Sequence, residues 1–179
     1  MATTTTTTTT TAAAKGSPIR WLLATVLSTR TAPGVADVGL LIFRLTLAFI
    51  FIYHGARRLF GWFGGRGLDA SAHYFATTAH LHPGKAFAIL GGSIELFGGI
   101  ALALGLFSRL AGLGIFGDMM MAIITVTHGQ GFNSTAGPGW ELNLALGVLA
   151  LVPAFFGSGH YSIDALLERR LLRGGAPAP

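Results

Sequence analysis

The chain has 179 residues, 51% hydrophobic and only 11% charged, against about 25% charged in typical soluble domains. Its 12 basic and 7 acidic residues give a net charge of +5, but no basic stripe interleaves with aromatics, so nucleic acid is not the implied partner. There is no cysteine. That excludes disulfides, thiolate catalysis, CxxC redox motifs and thiolate metal sites, and any electrons must travel through a bound cofactor or a partner.

In chain order, residues 1–18 carry the unbroken run Thr3 to Thr11 and read as a disordered low-complexity tail. This stretch lacks the basic and apolar regions of a signal peptide. Residues 19–34 are apolar but too short to span. With Trp21 inside and Arg20 and Arg30 near the ends, they read as an interfacial segment, closed by a break at Thr31-Ala-Pro-Gly34. Four stretches approach the ~20 residues that a bilayer requires: 38–60, 85–107, 109–128 and 140–157. Between the first two lies an amphipathic stretch from Leu68 to Leu81, and Ser108-Arg109 joins the second and third in a tight turn. A polar loop, 129–139, leads to the fourth. A short helix starts at Ser162, and 169–179 read as a flexible C-terminal tail. The expected fold is therefore an all-α membrane protein: an antiparallel bundle of four transmembrane helices over 35–168, with short interfacial helices.

Topology follows from the basic residues. Four spans put both termini on one side, with Lys15, Arg20, Arg30, Arg109, Arg169, Arg170 and Arg173. The other side holds Arg57, Arg58, Arg66 and Lys85. The side richer in Lys and Arg is expected to be cytoplasmic. Much of the abundant glycine lies inside the spans, where small residues let helix backbones approach closely.

Three ionisable residues sit inside these apolar stretches: Arg44, Glu95 and Asp118. A charge at mid-bilayer costs at least ~2.5–3.5 kcal/mol, so each needs a partner, a proton or a job. At ~1.5 Å per residue, Glu95 and Asp118 fall near the midplane of neighbouring helices. Arg44 is expected to reach toward one of them, leaving the other acid neutral. These three are the candidate catalytic, proton-exchanging residues. The alternative is a purely structural set of paired or hydrogen-bonded groups.

A second polar group gathers at one level: His54, Arg57 and Arg58 at the end of span one, His128 at the end of span three, and Glu141 and Asn143 at the start of span four. His54, Arg57, His128, Glu141 and Asn143 are the candidate ligand-binding residues. Arg57 and Arg58 also suit interface anchoring, and Glu141 suits a helix N-terminus through the helix dipole. His54 and His128 come from different helices and could serve as axial haem ligands, although no spacing singles that out. His80-Leu-His82 alone is weak evidence for metal, and no metal site is assigned. Met119 to Met121 read as core packing.

Five pieces in order resemble the DoxX family of four-helix bacterial membrane proteins. They are Arg44 to Gly61 (Arg-Leu-Thr-Leu-Ala-Phe-Ile-Phe-Ile-Tyr-His-Gly-Ala-Arg-Arg-Leu-Phe-Gly) and Gly91 to Leu110 (Gly-Gly-Ser-Ile-Glu-Leu-Phe-Gly-Gly-Ile-Ala-Leu-Ala-Leu-Gly-Leu-Phe-Ser-Arg-Leu). Asp118-Met-Met-Met-Ala with Val126-Thr-His128, Gly139 to Gly147, and Gly157 to Asp164 complete the set. The resemblance spans about 38–168. Its recurrent polar positions match Arg44, His54, Gly55, Glu95, Arg109, Asp118, His128 and Glu141, and lysine is common in the family near Arg58.

The resemblance implies an inner-membrane location and a subunit of a membrane redox system. An oxidoreductase role, a quinone-like or other small amphipathic ligand, and redox partner proteins would go with it. Self-association into a homo-oligomer is compatible with this reading. The alternative is a non-enzymatic scaffold or a small proton-coupled transporter. No inverted repeat of the kind that builds alternating-access carriers is visible.

Overall fold

The structure, a computed structural model, describes residues 33–133 and 139–172. The threonine-rich tail and nearly all of the interfacial segment lie outside the described residues, as do 173–179. Helix α1 is Pro33–Phe60. A proline in the first turn gives up only an N–H that has no helical partner, so the Pro33-Gly34 break expected from the sequence is the start of the first long helix. The helix ends at Gly61, whose φ of 71° is the left-handed conformation glycine adopts freely. A 3-10 turn, Trp62–Gly64, leads into α2, Gly67–Thr77.

Helix α3 is Gly84–Leu104 and stops at Gly105, with φ 64°. Helix α4 is Ser108–Ala122. It runs on through a π turn at Ile123–Thr127 and a 3-10 turn at His128–Gln130. Helix α5 is Glu141–Phe156 and α6 is Ile163–Leu172, reaching past the domain end at 168 expected from the sequence.

Among the described residues three helical stretches are long and apolar enough to cross a membrane: Gly34–Phe60, Gly84–Leu104 and Ser108–Gln130. The molecule is thus an all-α, multi-pass membrane protein. Helix α5 is also apolar but has 16 residues, short of the ~20 for an untilted span.

The packing follows solvation by lipid rather than water. Large apolar side chains point outward from every long helix, among them Ile42, Phe49, Phe97, Leu110, Ile124 and Phe155. The core joins four helices: Leu47, Ala48 and Phe51 of α1, Leu102 of α3, Ile115 and Met119 of α4, and Ala150 of α5. Hydrophobicity does not sort helices inside lipid, so close backbone contact must, and glycine supplies it. A Cβ on Gly55 would lie 2.5 Å from the backbone nitrogen of Leu96, and one on Gly99 would lie 2.9 Å from that of Ile52. Gly112 brings α4 onto the backbone of α5 at Ala150 and Ala154.

One end of the molecule is closed by a polar lock. The guanidinium of Arg44, 1% exposed, donates to the carbonyl oxygens of Ser158 and, at 2.9 Å, Tyr161. Asp164 accepts from the backbone N–H groups of Phe107 (2.9 Å) and Ser108 (3.3 Å), so a residue of α6 satisfies donors at the start of α4. The hydroxyl of Ser158 donates to Asp164 at 2.6 Å. Burial raises the Asp164 carboxyl. The hydrogen bonds from Ser158, Phe107 and Ser108, with the charge of Arg44, outweigh it and hold the group below the ordinary aspartate value of 3.8. Nearby, the His160 ring lies 2.8 Å from Asp37 at the start of α1.

Candidate functional site

The other polar centre is built where α1, α3 and α4 meet. Arg58 is in the last turn of α1, and its Nη2 lies 3.0 Å from Oε1 of Glu95 on α3. Their side chains are 25% and 4% exposed, so the acid is buried and the guanidinium only partly so. Asp118 of α4 closes the group. A Cβ on Gly91 would lie 2.6 Å from Nη1 of Arg58 and 3.0 Å from Oδ1 of Asp118, so the glycine leaves room for both side-chain ends against α3. The aliphatic part of Arg58 runs against Gly92, and its guanidinium stands over the Phe75 ring of α2 at 5.4 Å. The guanidinium thus pairs with the buried Glu95, while the half-buried Asp118 also stands beside Gly91. Oε2 of Glu95 and Oδ2 of Asp118 are buried with no hydrogen-bond partner among the described residues.

These groups line a cavity of about 660 Å³ whose remaining walls are mostly apolar. Phe51 of α1, Phe75 of α2, Ile94 of α3, Leu113 and Met119 of α4 and Leu146 of α5 contribute. The π turn of α4 adds Thr125, Val126 and Thr127. Such one-turn irregularities free side chains from helical spacing and often occur at functional sites. Asn143 lies on the lining and donates to the Thr127 hydroxyl at 3.3 Å. His54, Arg57 and Arg66 complete the polar part. Arg57 donates to the Tyr53 hydroxyl and the Phe63 carbonyl, both at 2.9 Å, and Arg66 stands over the Tyr74 ring at 4.7 Å. Among the described residues no three metal-ligating side chains come together.

The sequence-selected residues divide accordingly. Glu95 and Asp118 come together, as their depths required, and His54, Arg57 and Asn143 share their cavity. Arg44 is not the partner of the acids. It stands 14 residues before Arg58 on α1, about 21 Å along a helix, and its guanidinium is committed to the carbonyls of the lock. His128 and Glu141 are exposed and lie outside the lining, so the expected convergence of His54, His128 and Glu141 is not what the helices produce. That expectation rested on a shared level at the helix ends, and a shared level does not set the direction in which each side chain points.

The residue missed as the acids' partner is Arg58. Sequence reasoning placed it at the outer interface by assuming that adjacent spans end at one level. Instead α2 packs over the first part of α3, where Gly84 meets Ala72 and Ala76, and α1 stops alongside the middle of α3.

The DoxX family model matches residues 39–128, half of the chain, and includes Arg58, Glu95 and Asp118. The chain belongs to the DoxX family. No curated protein and no solved structure matches it. In this DoxX protein the matched stretch holds the whole charged cluster, while Glu141, Asn143 and the Asp164 end of the lock lie beyond it. The family is one of membrane proteins, and that is the setting in which two neighbouring acids beside an apolar cavity have to be read.

Proposed function

We propose that this DoxX protein is a subunit of a membrane redox system, with four antiparallel spans and both termini cytoplasmic, that holds a quinone-like or other small amphipathic molecule in the cavity between its helices. The supporting observation is the cavity itself: apolar walls around one charged cluster of the buried Glu95 with the half-buried Arg58 and Asp118. A concave site with few convergent polar groups is the usual form of a small-molecule site. Intramembrane ionisable groups without a purely apolar role mark proton or substrate paths. In this reading the apolar wall takes the tail and ring of the ligand. The cluster exchanges protons with the headgroup, a role that requires hydrogen-bond reach. His54, Arg57 and Asn143 shape the polar surroundings, and Arg44 fixes the distant helix ends rather than touching the ligand.

A fourth span is supported by the apolar composition of α5, and antiparallel packing by the glycine contacts between α1 and α3. Residues 48 and 52 meet Gly99, while residue 55 meets residue 96, so numbers fall along α3 as they rise along α1. The experiment is extraction and mass spectrometry of protein purified from native membranes in mild detergent. An amphiphile enriched in the wild type over an unrelated membrane protein, and lost in Asp118→Asn at equal folded yield, is the expected result. No enrichment counts against the ligand-binding reading and leaves the scaffold as the better one.

A further inference from the structure

We infer that the cavity opens sideways, between α3 and α4, into the hydrocarbon core of the bilayer, and that its ligand is a long-tailed amphiphile dissolved in the membrane and drawn in through that slot. This inference rests on the amphiphile reading above and names the phase that supplies the ligand. It starts from the way α3 and α4 pack. A Cβ on Gly98 of α3 would lie 3.1 Å from the Ile115 side chain, so the helices are close there. Further from their joining turn the outer edge of the contact loosens. A Cβ on Gly114 would meet only Ile94, at 3.8 Å, and one on Gly117 would have nothing within 4 Å among the described residues. Glycine is a costly residue inside a helix, and at Gly55, Gly99 and Gly112 close helix contact offsets that cost. Gly114 and Gly117 make no such contact; both line the cavity instead.

The large side chains around these glycines face both ways. Leu90 of α3 and Leu113 and Met121 of α4 line the cavity, yet they are 56%, 52% and 47% exposed. The same cavity is lined by Phe51 and Leu146 of the interior, so it runs from the bundle to its outer face. Asp118, next to Gly117, reaches toward Gly91 across the gap. The depth of the opening decides what lies outside it. Gly117 is nine residues into the span Ser108–Gln130, about 14 Å from its start, and at mid-span the surroundings are acyl chains rather than water. Each CH₂ of a tail raises its preference for hydrocarbon over water about fourfold, so a long-tailed ligand is concentrated where the slot opens. A path from water would instead lead past Arg57 and Arg66 at the polar end of the lining.

The test uses the purified full-length protein in lipid nanodiscs and two photoactivatable probes. One is a hexadecanol with a mid-chain diazirine, which dissolves in the bilayer. The other is a water-soluble butanol with the same group. After irradiation, mass spectrometry compares labelling of the half-buried cavity residues Phe75 and Leu146 with that of the outward-facing Phe49 and Phe155. The long alcohol is expected to label both sets. Gly117→Phe, which fills the slot, should lower the interior label about tenfold, the scale on which an apolar pocket rejects added bulk, and leave the outer label unchanged. Gly39→Phe, at another open position on α1, should change neither. Interior labelling by the long alcohol that Gly117→Phe leaves intact overturns the sideways entry while the amphiphile cavity stands. Interior labelling by the short alcohol but not the long one overturns it too, and places the entry on the water side. An interior labelled by neither overturns both readings. Gly117→Val is the second variant, with a smaller loss expected; open space accepts a side chain, so failure of both variants to fold also overturns the inference.

Discussion

The assignment of Arg58 to Glu95 has an energetic consequence that separates it from the Arg44 pairing suggested by the sequence. Removing one partner of a buried ion pair leaves an uncompensated charge and costs about 3–5 kcal/mol. Arg58 keeps a quarter of its side chain exposed, so Arg58→Met should fall near the lower end, about 3 kcal/mol. Glu95→Leu in that background removes the stranded charge and should recover a large part of the loss. The coupling energy between positions 58 and 95 is then about 1–3 kcal/mol, the range for residues in direct contact.

Arg44 gives the control. Its guanidinium lies against Gly105, ten residues beyond Glu95 on α3 and about 15 Å away along the helix. Arg44→Met should itself destabilise, because its carbonyl partners at Ser158 and Tyr161 lose their donor. Its effect should add to that of Glu95→Leu within about 0.5 kcal/mol. The assay is equilibrium unfolding in mixed micelles with increasing sodium dodecyl sulfate, followed by tryptophan fluorescence. Additivity at 58 and 95 together with coupling at 44 and 95 would refute the pairing of Arg58 with Glu95.

Three further outcomes follow from other parts of the molecule. Asp164→Asn should lower stability at neutral pH by about 1–2 kcal/mol through the weakened helix start. Because the folded carboxyl lies below its ordinary value, that gap is full above the unfolded aspartate value of about 3.9 and closes as pH falls through the lower folded one; a gap that does not change between pH 6 and pH 3 would contradict the lock. Gly55→Ala drives a methyl into the backbone of Leu96 and should cost about 1–3 kcal/mol. Gly39→Ala, where nothing lies within 4 Å, should be neutral or stabilising by up to about 1 kcal/mol; similar melting shifts for both would refute close helix contact as the role of Gly55. Reporter fusions at Pro179 should be active only in the cytoplasmic sense, and an externally active fusion there would invert the topology and the side on which the cavity's polar residues lie.

How far the sequence carried the structure is best seen at individual residues. The long helices were legible because lipid demands an apolar length that no soluble segment mimics, and the limits predicted from hydropathy fall close to those of α1, α3 and α4. The meeting of Glu95 and Asp118 was legible because a short turn fixes the relative depth of the helices it joins; the turn is Gly105 to Phe107, and Ser108-Arg109, read from the sequence as the join, opens α4. Depth across a longer connection was not fixed in this way. Nothing in the 61–84 segment states that α2 will pack on the first part of α3, and that packing puts Arg58 beside the middle of α3. Arg44 misled for the complementary reason: inside a bilayer a charge is read as seeking the opposite charge, yet carbonyl oxygens freed at helix ends satisfy a guanidinium equally well. The partners of Arg44 come from the Ser158–Tyr161 link, more than a hundred residues away in the chain. No periodicity records such a contact, but one clue was present. Glu95 and Asp118 are two acids, the chain offers them only a few arginines, and the arginine nearest the glycines Gly91 and Gly92 must come from a helix that can approach there closely. Gly55 allows that approach on α1, and one helical turn beyond Gly55 stands Arg58.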